Sequence, residues 1–543
     1  MEYLSSIDRP VGSRDPFAEK LWRRAQCYIV ENQIPAARAA LESLVLRDPQ
    51  RVAARMLLAS VYLDCGRVRE AAEQAVTASG MMPDDAEVIA TTVNCLLRIG
   101  ETVAARDCLV RFDAPNRNLQ GHQLVMLAHV YQMLGDDRTG LALMDRAQAL
   151  GYDSPDFRYF HALQLQFNGR VAEARSRLES CLQLGPTFGR ASLALARMGK
   201  QTADSNHLDY IRMQLRRVEP GSEDHAAFEF AQYKELEDLG DYEEAFAALQ
   251  RGNAIMYARV KHDLAREGEL FDTIRRTVSS DFVCVDGASI DGPVPIFIVG
   301  LPRSGTTLLD RLLDNHPDVV STGERPDFPH QLRWAANLHG KDVIDAKLLE
   351  RLPQIDYAEL GRRYLLQTQW RTPGSPFFVD KLPFNYTLVG LIHRALPQAP
   401  IVHMVRDPMD VCFSNYKALF GESYPYSYQM DALATHYIRY RELMHHWHEV
   451  LPGTVLDVSY RELVQNPEET LAAVFAHCGL RPVSGCSDLT RNTTAVNTLS
   501  SAQVREPIHT RTLGEWRRYQ KQMTPVLQAL RAAGLVGEGI TKK

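Results

Sequence analysis

Pro295-Ile-Phe-Ile-Val-Gly-Leu-Pro-Arg-Ser-Gly-Thr-Thr-Leu-Leu309 is the stretch on which the reading of this chain turns. Ile296 to Val299 is an uninterrupted apolar run, the pattern of a strand buried on both faces, and Gly300 lets the backbone turn sharply at its end. Gly305 lets the backbone come close to an anion. Thr306 and Thr307 open a helix that continues through Leu308, Leu309, Leu312 and Leu313. The unpaired N–H groups and the positive end of that helix point into the loop, which makes it an anion cradle. The glycines at 300 and 305 have the spacing of the triphosphatase loop G-x-x-x-x-G-K-[ST], but position 306 is Thr where that loop has Lys. Arg303 is the cation inside the loop, and its planar fork suits a phosphate or sulfate oxygen pair, with the hydroxyls of Ser304, Thr306 and Thr307 as neutral donors. That departure argues against ATP hydrolysis and against a kinase.

Downstream, Pro376-Phe-Phe-Val-Asp380, Ala399-Pro-Ile-Val-His-Met-Val405 and Gly453-Thr-Val-Leu-Asp-Val458 are further short apolar runs, each followed by a helical pattern. Strands alternating with helices predict a parallel, helix-covered sheet, with the ligand beyond the carboxyl ends of the strands. Val278 to Pro295, rich in Ser, Asp, Gly and Pro, reads as the join to whatever precedes it.

What precedes it has a period. Asn32, Gly66, Gly100, Gly135 and Gly169 are spaced 34, 34, 35 and 34 residues apart, and five residues after each comes Ala37, Ala71, Ala105, Gly140 and Ala174. Gly240 and Ala245 repeat that offset, and Pro49, Pro83, Pro186 and Pro220 mark unit ends. The Gly or Asn takes the left-handed conformation that ends the first helix of a pair, the small residue allows close crossing, and proline ends the second helix. Met56, Leu57, Val61 and Tyr62, then Ala71, Ala72, Ala75 and Val76, have core-facing spacing in the second unit. The period resembles tetratricopeptide repeats. About six helix pairs are expected between residues 16 and 260, the unit around Gly199 being degenerate, followed by a linker over 261–293 and a catalytic domain over 294–535. Such a solenoid can bind a protein segment, mediate homodimer formation, or brace the catalytic domain.

Composition is that of a soluble globular chain of 543 residues. Met1 to Arg14 has no apolar core of a signal peptide, and no apolar run approaches the length of a membrane span, so a cytoplasmic protein is expected. Nine cysteines without a C-x-x-C pair suit a reducing compartment. The net charge of −6 is unevenly shared: residues 294–543 hold 27 Lys and Arg against 25 Asp and Glu, and residues 1–293 hold 34 against 42. The small excess around the anion loop fits an anionic nucleotide and excludes a nucleic-acid binder's basic stripe. His445, His446 and His448 lack an acidic partner set and read as a solvated helix face, so no metal is expected.

Pro302-Arg-Ser-Gly-Thr-Thr307 resembles the 5′-phosphosulfate loop of sulfotransferases that use 3′-phosphoadenosine 5′-phosphosulfate (PAPS), above all tyrosylprotein sulfotransferases and bacterial tetratricopeptide-repeat sulfotransferases. The resemblance implies an α/β, P-loop-like domain with PAPS as co-substrate and no metal. It implies that Arg303, Ser304, Gly305, Thr306 and Thr307 cradle the donor, and that Arg406 and Ser414, in Arg406-Asp-Pro-Met-Asp-Val-Cys-Phe-Ser414, hold its 3′-phosphate. Glu324, in Ser321-Thr-Gly-Glu-Arg325, matches the family's base, and Lys381, in Asp380-Lys-Leu-Pro383, the lysine that stabilises the transition state. Arg325 beside Glu324 would oppose a raised carboxyl pKa, and His316 and His330 are alternative bases. Ser500 matches a transition-state serine, Tyr460 a nucleotide-contacting tyrosine, and Arg505 and Arg517 are candidate nucleotide contacts in a late loop. Two positions depart from the pattern: Ala418 replaces an arginine, with Lys417 adjacent to substitute for it, and Glu515 replaces a lysine before Trp516. The function implied is sulfuryl transfer to an acceptor hydroxyl, with a protein or peptide tyrosine favoured over a carbohydrate or small metabolite. A non-catalytic nucleotide-binding repeat scaffold is the competing reading.

Overall fold

Short apolar runs that are buried on both faces become strands, and in the computed structural model five of them form one parallel sheet. The structure describes residues 15–284, 291–492 and 507–537. The strands are β1 (Val294–Val299), β2 (Val319–Ser321), β3 (Phe377–Asp380), β4 (Ile401–Val405) and β5 (Val455–Ser459), in the order β2-β3-β1-β4-β5. Every pairing is parallel, with Val294 opposite Phe377 and Phe297 opposite Ile401. The run that decided the reading is therefore the central strand, and Ile296, Phe297, Ile298 and Val299 are fully buried. One face of the sheet carries the rings of Phe297, Phe328, Tyr364 and Phe378, whose centroids lie 5.6–6.2 Å apart. Each such pair contributes about 0.5–1.5 kcal/mol beyond its area burial, and together they seat the helices Asp327–Ala336 and Tyr357–Thr368 on the sheet.

The N-terminal half is a stack of seven helix pairs from Pro16 to Val260, one more than the period alone predicts. The sixth is the degenerate one: its helices Gly189–Arg197 and Leu208–Leu215 are short, and Thr202 and Ser205 form an isolated bridge between them. The turns follow the expectation, for Asn32, Gly66, Gly100, Gly135, Gly169 and Gly240 all have φ between 56° and 103°. Met56, Leu57, Val61, Tyr62, Ala71, Ala72 and Ala75 are buried, whereas Val76 is exposed at the edge of its helix stripe. The joining segment also differs from a bare linker. It holds the helices Leu264–Thr277 and Ser280–Val283, and Glu267 on the first accepts from His436 Nδ1 at 2.8 Å and Arg439 Nη1 at 3.1 Å.

The two halves share one core. A single apolar cluster runs from Leu193 and Phe228 in the last repeats through Phe271 to Leu360, Trp447 and Leu530. The earlier repeats dock differently, by their turns. Gly66 O accepts from His339 N at 3.4 Å, Gly100 O accepts from Gln331 Nε2 at 2.8 Å, and Gly135 lies against Arg325. Successive turns thus meet positions 339, 331 and 325 along one stretch of the C-terminal half, a step of roughly 10 Å that suits stacked helices. Arg69 adds bonds to Trp334 O at 3.1 Å and Asn337 Oδ1 at 2.9 Å, and Glu101 pairs with Arg363. Among the described residues no helix is long and apolar enough to cross a membrane.

Gly100 tests this docking. A Cβ there would lie 2.6 Å from Gln331 Nε2 and 2.8 Å from His330 Cβ, whereas one at Gly66 would meet nothing within 4 Å. Both glycines have the same left-handed backbone, worth about 1–2 kcal/mol against alanine. Chemical denaturation should show Gly100→Ala costing more than Gly66→Ala, and equal costs would contradict the tight seat.

Candidate active site

Parallel strands present all their carboxyl ends at one edge, and the sheet order sets out the candidate residues in a line. Across that edge stand Glu324 after β2, Lys381 after β3, the loop Gly300–Thr307 after β1, Arg406 after β4 and Tyr460 after β5. Four inter-strand spacings of about 4.8 Å make the row roughly 19 Å long.

At the centre, the helix Thr306–Leu313 starts on Gly305, with Ser304, Thr306 and Thr307 buried. Gly305 has φ 109°, and a Cβ there would lie 2.5 Å from Tyr460 Cδ2, so its hydrogen makes room for a ring as well as for an anion. Arg303 itself adopts φ 68°, a strained conformation for a side-chain-bearing residue. Its carbonyl accepts from Arg406 Nη1 at 2.9 Å, and its Nε donates to Ser414 Oγ at 3.4 Å. Ser414 therefore meets Arg303. Burial pushes the Arg303 pKa down to about 10, and the neighbouring charge of Arg406 adds to that.

Arg406 donates from Nη2 to Thr512 O at 2.8 Å and lies 4.7 Å over the Tyr460 ring, whose hydroxyl bonds Thr512 Oγ1 at 3.0 Å. Neither nearby aspartate pairs with it: Asp407 caps the helix Pro408–Tyr416, and Asp410 accepts from Gly514 N at 2.7 Å. A cleft opens here, lined by Arg303, the loop, Arg406, Tyr460, Leu489 and the segment Pro507–Thr512. Among the described residues, Ser304 Oγ and Arg406 Nε are buried without hydrogen-bond partners. Lys417, adjacent to Ala418, pairs with Glu515 at 2.7 Å. The residue beside one departure from the family pattern, Ala418, thus meets the other departure, Glu515. Arg517 is exposed on the Trp516 ring, at 5.5 Å, and Ser500 and Arg505 lie outside the described residues.

At the other end, Lys381 Nζ donates to Glu324 Oε2 at 2.5 Å, with the lysine side chain 1% exposed and the glutamate 32%. Arg325 reaches the solenoid, donating to Met133 O at 2.9 Å and Gln132 O at 3.3 Å. His330 packs against Gly100, and His316 is buried between Arg481 O and Asp318 N, so neither stands beside Lys381. Of the histidine triplet, His446 bonds Val278 O, His445 pairs with Glu449, and His448 pairs with Asp457, which also holds His403. Sequence reasoning missed this three-residue cluster because its members come from three separate elements.

Asp380 precedes Lys381 and accepts from Tyr364 Oη at 2.7 Å and Asn385 Nδ2 at 3.2 Å. Burial pushes its carboxyl up to about 7 despite those donors.

Residues 295–484 match the family model described as "Sulfotransferase family", and residues 28–88 match that described as "Tetratricopeptide repeat". An uncharacterized protein of Aquifex aeolicus (strain VF5) is 26% identical over 378 residues, which cover 67% of this chain and 48% of that protein. Protein-tyrosine sulfotransferase 1 of Homo sapiens is 32% identical over 117 residues, covering 21% of this chain and 31% of its own length. The solved sulfotransferase domain of the Synechococcus PCC 7002 olefin synthase aligns with a TM-score of 0.32 at 18% identity, covering 46% of this chain and 97% of that one. The chain spans about half the length of the Aquifex relative and less of the human one. Residues 295–484 are a sulfotransferase-family domain. The chain carries it behind a helical array with tetratricopeptide-repeat character.

The raised Asp380 pKa has a consequence for stability. Its unfolded value is about 3.9, so folding takes up a proton between that value and about 7. The stability linked to this proton is whole below the unfolded pKa and is lost as pH rises through the folded one. Urea denaturation at pH 5 and pH 8 should show the parent chain losing more stability over that interval than Asp380→Asn; equal losses would mean an ionised Asp380 in the fold.

Proposed function

We propose that this chain is a PAPS-dependent sulfotransferase that moves a sulfuryl group to an acceptor hydroxyl, with a protein or peptide tyrosine as acceptor. The observation that carries the reading is the Lys381–Glu324 salt bridge standing one strand away from an anion loop whose cation is Arg303. The donor site fits the group: two guanidinium groups lie close together at the cleft, and Ser304 Oγ and Arg406 Nε are buried donors in search of acceptors. In this reading Arg303, Ser304, Gly305, Thr306 and Thr307 hold the 5′ end, Arg406 and Ser414 the 3′-phosphate, and Tyr460 shapes the cleft wall, with Arg505 and Arg517 from the late loop. Bound PAPS supplies the sulfuryl group and a nucleotide bisphosphate as leaving group.

Glu324 takes the proton of the acceptor hydroxyl at its carboxylate. Once protonated it no longer holds the Lys381 ammonium, which is released to face the oxygen on which negative charge grows. Ser500 adds a hydroxyl to the same charge. A base and a cation that start as one salt bridge thereby couple deprotonation to charge stabilisation, and no metal enters.

The acceptor reading is supported by the likeness to the human protein named above and by a cavity between the halves. Met133, Phe160, Leu163 and Phe167 of the solenoid and Arg325, Pro326 and His330 of the catalytic half line it, next in the chain to Glu324. Its apolar wall suits a polypeptide segment. A carbohydrate or small-molecule acceptor, or a nucleotide-binding scaffold without turnover, are the outcomes that would replace it. A cytoplasmic setting accords with nine cysteines that form no disulfide.

Transfer of labelled sulfate from PAPS to tyrosine peptides, glycans and a cell extract tests the function directly. Glu324→Gln and Lys381→Ala should each lower transfer by about 10²–10⁴-fold while leaving binding of adenosine 3′,5′-bisphosphate nearly unchanged. Near-normal turnover in Glu324→Gln would remove it as the base. The chain should bind adenosine 3′,5′-bisphosphate more tightly than AMP, and Arg406→Ala should erase about 1.5–3 kcal/mol of that preference. Equal affinity of the parent chain for both nucleotides would contradict the 3′-phosphate site.

A further inference from the structure

Glu324 stands on weak local support. Strand β2 is three residues long and lies at the edge of the sheet. On the sheet side its loop is tied by Thr322, which bonds Val379 O through both N at 3.1 Å and Oγ1 at 2.8 Å, and by Gly323 O, which accepts from Lys381 N at 3.4 Å. On the other side the tether is Arg325, and it ends in the solenoid.

Arg325 Nη1 donates to Met133 O at 2.9 Å and Gln132 O at 3.3 Å, and Arg371 Nε donates to Leu134 O at 3.4 Å. These are the last carbonyls of the solenoid helix Gly121–Leu134, the negative end of its dipole, where a cation gains most. Arg371 is itself held by Asp327 at 2.9 Å. Gly135 closes the seat, for a Cβ there would lie 2.8 Å from Arg325 Nη2.

We propose that Arg325 is a positioning residue through which the end of helix Gly121–Leu134 fixes the loop after β2, and with it the Glu324 carboxylate against Lys381. The solenoid is then part of the transfer site and not only a surface for partners. This rests on the role given to Glu324 above. A guanidinium held by carbonyls of one helix end cannot slide, and the peptide bond to Glu324 carries that constraint one residue further. Displacement of a catalytic group by about 1 Å is enough to cost roughly 10²-fold in rate.

The test uses the full chain, PAPS and a tyrosine peptide. Arg325→Met should lower kcat by about ten- to a hundredfold while changing the KM for PAPS by no more than about twofold, and Arg325→Lys should recover part of the loss. Gly135→Ala, far from Glu324 in sequence, should behave as Arg325→Met does. Gly240→Ala imposes the same left-handed penalty at φ 85°, with no neighbour within 4 Å of the new Cβ, and should leave kcat unchanged. Hydrogen exchange over residues 320–327 should quicken in Arg325→Met and Gly135→Ala alone. Parent-like kcat and exchange in Arg325→Met, or a loss in Gly240→Ala equal to that in Gly135→Ala, would overturn the proposal. If the parent chain transfers no sulfate, the function above falls, and the exchange comparison alone decides the strut: faster exchange in Arg325→Met and Gly135→Ala than in Gly240→Ala supports it, and equal exchange overturns it.

Discussion

Parallel pairing of β1 with a neighbour on each side is the constraint from which the rest of this structure follows. Because β3 and β4 both run alongside it in the same direction, the loops after all three strands emerge together, and Lys381, the anion loop and Arg406 become neighbours without any contact having to bring them there. The outer strands extend the row at both ends. The chain can therefore hold a salt bridge and a pair of arginines near each other yet apart: Glu324 meets Lys381 at one end, and the Arg303 carbonyl accepts from Arg406 at the other. Had β3 lain outside β4, Lys381 and Arg406 would have met, and the row would have no polarity.

The solenoid meets this sheet in two physically different ways. Its last repeats merge into the core of the C-terminal half through apolar packing, which is strong and insensitive to small shifts. Its middle repeats use backbone carbonyls at left-handed turns and at a helix end, contacts that are directional and fix a register. The first kind joins the halves, and the second aligns them.

Much of this was legible in the sequence where a pattern repeats or runs unbroken. The strands could be read because each is a short apolar run, and the turns because Gly66, Gly100 and Gly135 recur at a fixed interval. The helix Leu264–Thr277 was not, since it buries only Phe271 and Ile274 on a strongly charged background. Arg325 read as a threat to its neighbour Glu324, because adjacency in the chain says nothing about where a long side chain points, and its partners lie about 190 residues away. Lys417 read as a stand-in for the arginine absent at Ala418 and Glu515 as a lost contact, and only the folded chain shows that these two pair with each other.

Repeat arrays in general lengthen or shorten by whole units, since each unit touches only its neighbours. Here that freedom is confined. Three consecutive turns are matched to three positions of another element, and the final units belong to a shared core, so a unit gained or lost between them would put every later turn against the wrong residue. The Asn32 turn stands outside this match: among the described residues no hydrogen bond ties it to the C-terminal half.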